Sequence, residues 1–139
     1  MTATDLADEY WAFRLASRHF VSLIMGDVSH LDQWNDFSEE GIARTRQRFE
    51  EYAVRAASTD AVSAVDQILL DTVEAAAFMD ATTMVWAAEL ESTSRQVGLI
   101  SWLLPSLHRQ PLVTAEHGDM YLDKLRGFSA FIHQLGERL

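Results

Sequence analysis

Gly26-Asp27-Val28-Ser29-His30-Leu31-Asp32-Gln33-Trp34-Asn35-Asp36-Phe37-Ser38 is a polar, turn-rich stretch anchored by Trp34 and Phe37 and set between two strongly helical runs. A slack linker has no use for large aromatics, so the stretch reads as a shaped connection that packs against helices. Upstream, Leu6, Tyr10, Phe13, Phe20, Val21 and Ile24 recur at helical spacing between about Asp5 and Met25 and form one apolar stripe. Thr2 or Thr4 caps the start of that helix, and Gly26 tolerates the left-handed conformation that closes its end. Downstream, Ser38 and the acidic first turn Glu39-Glu40 open a second helix running to about Ala57. Its buried face should be Ile42, Phe49, Tyr52, Ala53 and Ala56.

Further along, Ser63-x-x-Asp66 matches a capping box, and Val65, Ile68, Leu69, Val73 and Ala76 mark a third helix. Asp80 falls inside that stripe and Thr82-Thr83 are poor helix formers. Both a break near Asp80 and a continuation to Leu90 therefore stay open. Gly98 to Leu104 is expected to form a short helix ended by Pro105, followed by a loop to Pro111. Thr114 caps a last helix whose stripe is Tyr121, Leu125, Phe128, Ile132 and Leu135, weakened or bent at Gly127. No alternation of period two is long enough for a strand. The expected architecture is all-α, a single helical domain over residues 1–139 with five or six helices and no strand.

Composition narrows the partners. Among 139 residues, 48% are hydrophobic, enough for a real core, and 11 Lys and Arg against 21 Asp and Glu leave a net charge of −10. That charge repels nucleic acid phosphates and anionic lipid. The densest basic run, Arg44, Arg46, Arg48 and Arg55, is interleaved with Glu50 and Glu51 at spacings that form solvated pairs on a helix face. With no cysteine, disulfides, thiolate metal sites and thiol nucleophiles are excluded. Met1-Thr2-Ala3-Thr4-Asp5 shows neither the basic leader nor the apolar run of a secretory signal, giving a cytoplasmic expectation. The apolar stretch from Val97 to Leu107 is too short to span a bilayer.

No reaction centre is legible. A zinc hydrolase needs converging ligands, commonly two His one helical turn apart with a Glu as base. His19, His30, His108, His117 and His133 contain no such pair. His117 and His133 share the last helix but, at roughly 100° per residue, point about 160° apart. His117 reads as an imidazole hydrogen-bonded near the helix cap. Asp27, His30 and Asp36 are candidate polar residues of a cleft, although Asp in such a connection also serves to bond its own backbone. There is no Gly-x-Ser-x-Gly elbow and no glycine-rich phosphate loop. Trp102, Leu103, Leu104 and Leu107 are a candidate interface, more apolar than a short helix on a small domain needs.

Several of these elements together resemble the N-terminal region of a large bacterial family known as domain of unknown function 885. The resemblance is carried by Asp8-Glu9-Tyr10-Trp11, Gly26-Asp27, Asp36-Phe37-Ser38 with Ile42-Ala43-Arg44, a third helix starting near Asp66, and Pro111 to Thr114 followed by Tyr121-Leu122-x-x-Leu125. The order and separations match over nearly the whole chain. Members of that family resemble zinc metallopeptidases whose C-terminal half carries a His-Glu motif, which this chain lacks. The resemblance therefore implies a non-catalytic N-terminal portion that walls a substrate cleft, with the zinc and the catalytic half lying elsewhere and no catalytic residue to carry over. The competing reading is a stand-alone helical module that self-associates through the apolar surface around Trp102.

Overall fold

The computed structural model describes residues 1–18, 22, 25–90, 107, 110 and 112–137, and for 84–90 the backbone alone. It is all-helical: α1 spans Ala3–Ser17, α2 Glu39–Ser58, α3 Ala64–Leu90 and α4 Ala115–Gly136, with no strand among the described residues. These are four helices among the described residues, where five or six were expected for the chain. The short helix expected over 98–104 lies outside the described residues, as do Phe20, Val21 and Ile24. Rather than running on to Met25, α1 ends at Ser17. Beyond it, the Ser22 hydroxyl donates to the Leu15 carbonyl at 2.6 Å and to that of Arg18 at 3.3 Å, satisfying acceptors that a helix end leaves open.

The helix starts follow local chemistry. Thr2 and Asp5 bond each other's backbone and side chain at 2.8 and 3.1 Å, and Ser63 and Asp66 form a second capping box. The His117 N–H donates to the Thr114 hydroxyl at 3.1 Å to cap α4. Gly26 has φ 77°, the left-handed geometry that glycine adopts without Cβ strain.

The chain gathers into two compact units. In the unit formed by Met1–Arg14 and Glu39–Trp86, Leu6 and Tyr10 of α1 pack with Ile42, Phe49, Tyr52 and Ala56 of α2 and with Leu70, Val73, Ala77 and Ala81 of α3, all buried. Phe13 meets Phe49 edge-on at 5.1 Å and Tyr10 meets Tyr52 at 5.8 Å, so aromatic edges seal α1 against α2. The face that α3 buries differs from the expected one. Val65 and Ile68 are 74% and 68% exposed, while Leu70, Val73, Ala77, Asp80 and Ala81 turn inward. An α3 that is apolar nearly all round gives periodicity no means of choosing a face. The choice falls to Asp80, whose Oδ2 accepts from the Tyr10 hydroxyl at 2.8 Å and from Arg14 Nε at 2.7 Å. The buried carboxylate does not break the helix, because α1 supplies its partners, and α3 continues to Leu90.

The second unit comprises Leu15–Ser38 and Ala87–Leu139. Here the 26–38 connection does what its aromatics imply. Trp34 stacks on Phe131 at 4.4 Å, and its indole N–H donates to the Lys124 carbonyl at 2.7 Å. Leu31 is fully buried. The Phe37 N–H donates to Gln134 Oε1 at 3.0 Å, and Gln134 Nε2 in turn donates to Asp36 at 2.9 Å. Gly127 is a point of close approach, not a flaw: a Cβ there would lie 3.2 Å from Trp34 Cδ1. Seating Trp34 on that side turns α4 so that Lys124, Phe131 and Leu135 are buried, Phe128 and Ile132 are half-covered, and Leu125 of the expected stripe is exposed.

Replacing Asp80 by Ala should lower stability in urea unfolding by about 3 kcal/mol, since it leaves the Tyr10 hydroxyl and Arg14 without their acceptor. Loss below about 0.5 kcal/mol, the range of an ordinary surface change, would contradict this account of α3 orientation.

Candidate functional site

Three polar constellations are the places where chemistry would be sought first. On α1, Glu9 accepts from Arg55 at 2.6 and 2.9 Å, from Arg48 at 3.2 Å and from the Tyr52 hydroxyl at 3.1 Å. The two guanidinium groups lie over the Tyr52 ring at 5.0 and 5.2 Å. Hydrogen bonding from Arg55, aided by Tyr52 and the charge of Arg48, draws the Glu9 carboxyl down to about 2, and burial together with Glu9 raises the Tyr52 phenol. The expectation of a solvated arginine face holds for the Arg46–Glu50 pair and the Arg44–Glu40 pair. Arg48 keeps the expected pair with Glu51 at 2.8 Å but also reaches across to Glu9 of α1, and Arg55 is committed to Glu9 instead of to its own helix face. The charged groups of this clasp bond one another across the two helices, so it holds α1 and α2 together. The Tyr10–Arg14–Asp80 set is the second constellation and is spent in the same way.

The third is Lys124, only 1% exposed. Its Nζ donates to the Gln33 carbonyl and lies 4.5 Å from the centre of the Trp34 ring. Burial pushes its pKa down to about 8, against a smaller upward pull from Asp32. Because the folded value lies below the ordinary 10.5, the cost of holding the ammonium there is present below pH 8 and is relieved as pH rises towards 10.5. A side chain so enclosed meets no substrate and serves to lock the 26–38 connection onto α4.

The residues singled out from sequence fall as follows. Asp27 accepts the Ser29 N–H at 2.9 Å in a turn, and hydrogen bonding from the Ser29 hydroxyl and N–H lowers its pKa. Asp36 accepts from the Ser38 N–H, the Ser38 hydroxyl and Gln134, and so ties the end of the 26–38 connection to α4. The His30 carbonyl accepts from the Gln33 N–H in another turn. The carboxylates of Asp27 and Asp36 shape the connection, each bonded to a neighbouring Ser. His117 Nδ1 accepts the Val113 N–H at 3.4 Å beside the cap, and exposed His133 lies 3.5 Å from Glu137. Among the described residues no three His, Asp or Glu gather so as to hold a metal ion, and no helix is long and apolar enough to cross a membrane. Trp102, Leu103 and Leu104 lie outside the described residues; Leu107 is buried and its carbonyl accepts from the Tyr121 hydroxyl at 3.1 Å.

A different surface, missed at the sequence level, stands out. Val65, Ile68 and Met79 on α3 are 74%, 68% and 58% exposed, with exposed Thr72 and Ala75 between them. Beside this line, Ala53, Val54 and Ala57 of α2 face Asp71, Glu74 and Phe78 of α3 across a groove of about 440 Å³ floored in part by Ala75. The sequence shows apolar residues on opposite sides of α3, but which of them stay outside is decided by the partners of Asp80. The geometry thus defines a helical scaffold with a free apolar face. In comparisons with family models, curated proteins and solved structures, nothing matches this chain.

The Glu9 clasp has a pH signature. A carboxyl depressed in the folded state contributes stability above its unfolded value of 4.5 that is lost as pH falls towards 2. Thermal midpoints of wild type and Glu9→Gln followed from pH 6 downward should therefore converge between about pH 4.5 and 2. A gap that stays constant over this window would show that the clasp does not form.

Proposed function

We propose that this chain is the non-catalytic helical N-terminal part of a metallopeptidase-like bacterial protein, cytoplasmic, in which it walls one side of a substrate cleft. A further short helix over 98–104 completes the helical set in this reading. The observation that carries it is the exposed apolar face of α3: Val65, Ile68 and Met79 stand in solvent on a helix whose opposite side is already buried. Contiguous apolar surface of that kind marks an interface. Two further observations support it. The titratable groups around Glu9 and Asp80 bond one another, and buried Lys124 bonds the Gln33 carbonyl, as suits a scaffold. The Glu9-Tyr10 pair of the family-like stretch lies at the junction of α1 with α2 and α3, where a motif kept for architecture belongs.

In a zinc-dependent enzyme of this organisation the metal and its general base reside in the catalytic half, and the part present here excludes water and shapes the approach to the cleft. The encoding reading frame tests this directly: it should continue beyond Leu139 into a His-Glu pair with a further His, and residues 1–139 expressed alone should not cleave peptides with or without added zinc. A frame that stops after Leu139, or zinc-dependent peptidase activity of the isolated chain, would contradict the reading.

A further inference from the structure

We infer that the exposed line on α3, with the groove beside it, docks an amphipathic helix of the catalytic half that carries an apolar stripe and a row of Lys or Arg along one edge. The inference rests on the reading above and names the surface by which the missing half covers this one. Val65, Ile68, Thr72, Ala75 and Met79 follow one another at alternating steps of three and four residues, the a and d spacing of a helix–helix seam. All five are exposed. The large side chains Val65, Ile68 and Met79 flank the small residues Thr72 and Ala75, so a partner backbone can approach closely at the centre with knobs at either end. Thr72 already donates its hydroxyl to the Ile68 carbonyl at 2.6 Å, and the seam therefore presents no polar group that covering would orphan.

Charge selects the occupant. From Ala64 to Leu90, α3 contains no Lys, Arg or His, whereas Asp71 and Glu74 stand exposed at the groove edge without a cationic partner among the described residues. Nearby arginines on α2 are committed elsewhere, Arg46 to Glu50 and Arg55 to Glu9. A second copy of this chain would bring the same cation-free helix, and an antiparallel pairing centred on Thr72 would set Asp71 against Asp71 in a chain of net charge −10. A helix with Lys or Arg on the groove side instead neutralises both carboxylates while its apolar stripe covers the seam.

The probe is a pair of fluorescently labelled synthetic helical peptides with identical leucine and alanine stripes, one edged with Lys and the other with Glu, titrated with residues 1–139. The Lys-edged peptide should bind with a micromolar Kd, at least about tenfold tighter than its Glu-edged counterpart. Asp71→Lys with Glu74→Lys should reverse that preference, and Ile68→Glu should abolish binding of both, with helicity by circular dichroism unchanged because all three positions are exposed. Binding of neither peptide, equal binding of both, or a concentration-dependent dimer in sedimentation that Ile68→Glu dissolves would overturn the inference, the last by giving the seam to a second copy. The wild-type comparison needs no variant to fold. A reading frame ending at Leu139 alongside an intact peptide preference would defeat the proposed function but not the seam's chemistry; a continuing frame with no preference would defeat the seam alone.

Discussion

A carboxylate buried in the middle of a helix is the constraint around which the unit of Met1–Arg14 and Glu39–Trp86 is arranged. Asp80 is 4% exposed, and an ionised group removed so far from water is tolerable only when paired and hydrogen-bonded. Both partners come from α1, Tyr10 and Arg14, one turn apart on the same face. One turn-spaced pair thereby fixes which side of α3 is inside, and its neighbour Glu9 fixes α2 through Arg55, Arg48 and Tyr52. Hydrophobic contact among Leu6, Phe49, Leu70 and Ala77 supplies the bulk of the driving force, but it is non-directional. The polar ties choose among packings that apolar area alone leaves nearly equivalent.

That division of labour explains what could be read from residues in order. Caps are local, so Thr2, Ser63, Thr114 and Gly26 were legible, and so was the aromatic anchoring of the 26–38 connection by Trp34 and Phe37. Leu6 and Tyr10 of α1 and the buried face of α2 followed from periodicity, on α2 because the opposite side is charged. For α3 the same reasoning reached Val73 but set the face too far round, since Val65 and Ile68 are as apolar as Leu70 and Ala77 and only a partner distant in sequence decides between them. Asp80 pointed to a break because its partners lie in α1, and no local pattern announces them. On α4, buried Lys124 and the close approach of Trp34 to Gly127 shifted the inner face off Leu125, again through a contact made over a long sequence separation. Among the candidate site residues, Asp27 and Asp36 shape turns, and the surface that matters for the proposed role was visible only once the buried side of α3 was known.

The functional argument has the same physical root. Because Asp80 commits one side of α3 to α1, the seam from Val65 to Met79 is left facing outward, and a long helix with two apolar sides has only half of its surface accounted for. The charged side chains that might otherwise suggest chemistry are matched to each other across helices, whereas the exposed acids Asp71 and Glu74 at the groove edge are not. The described helices are tied together within and leave one apolar outer face, the feature on which the proposed role rests.

Native-state amide hydrogen exchange of residues 1–139 probes the central claim most directly, because it reports which helices open together. If Tyr10 and Arg14 gripping Asp80 set the arrangement, the amides of α1 around residues 6–14 and those of α3 around 70–81 should exchange with one common opening free energy. Both should fall by the same amount in Asp80→Ala. Exchange of α1 well before α3, with α3 protection unchanged by that substitution, would contradict the account.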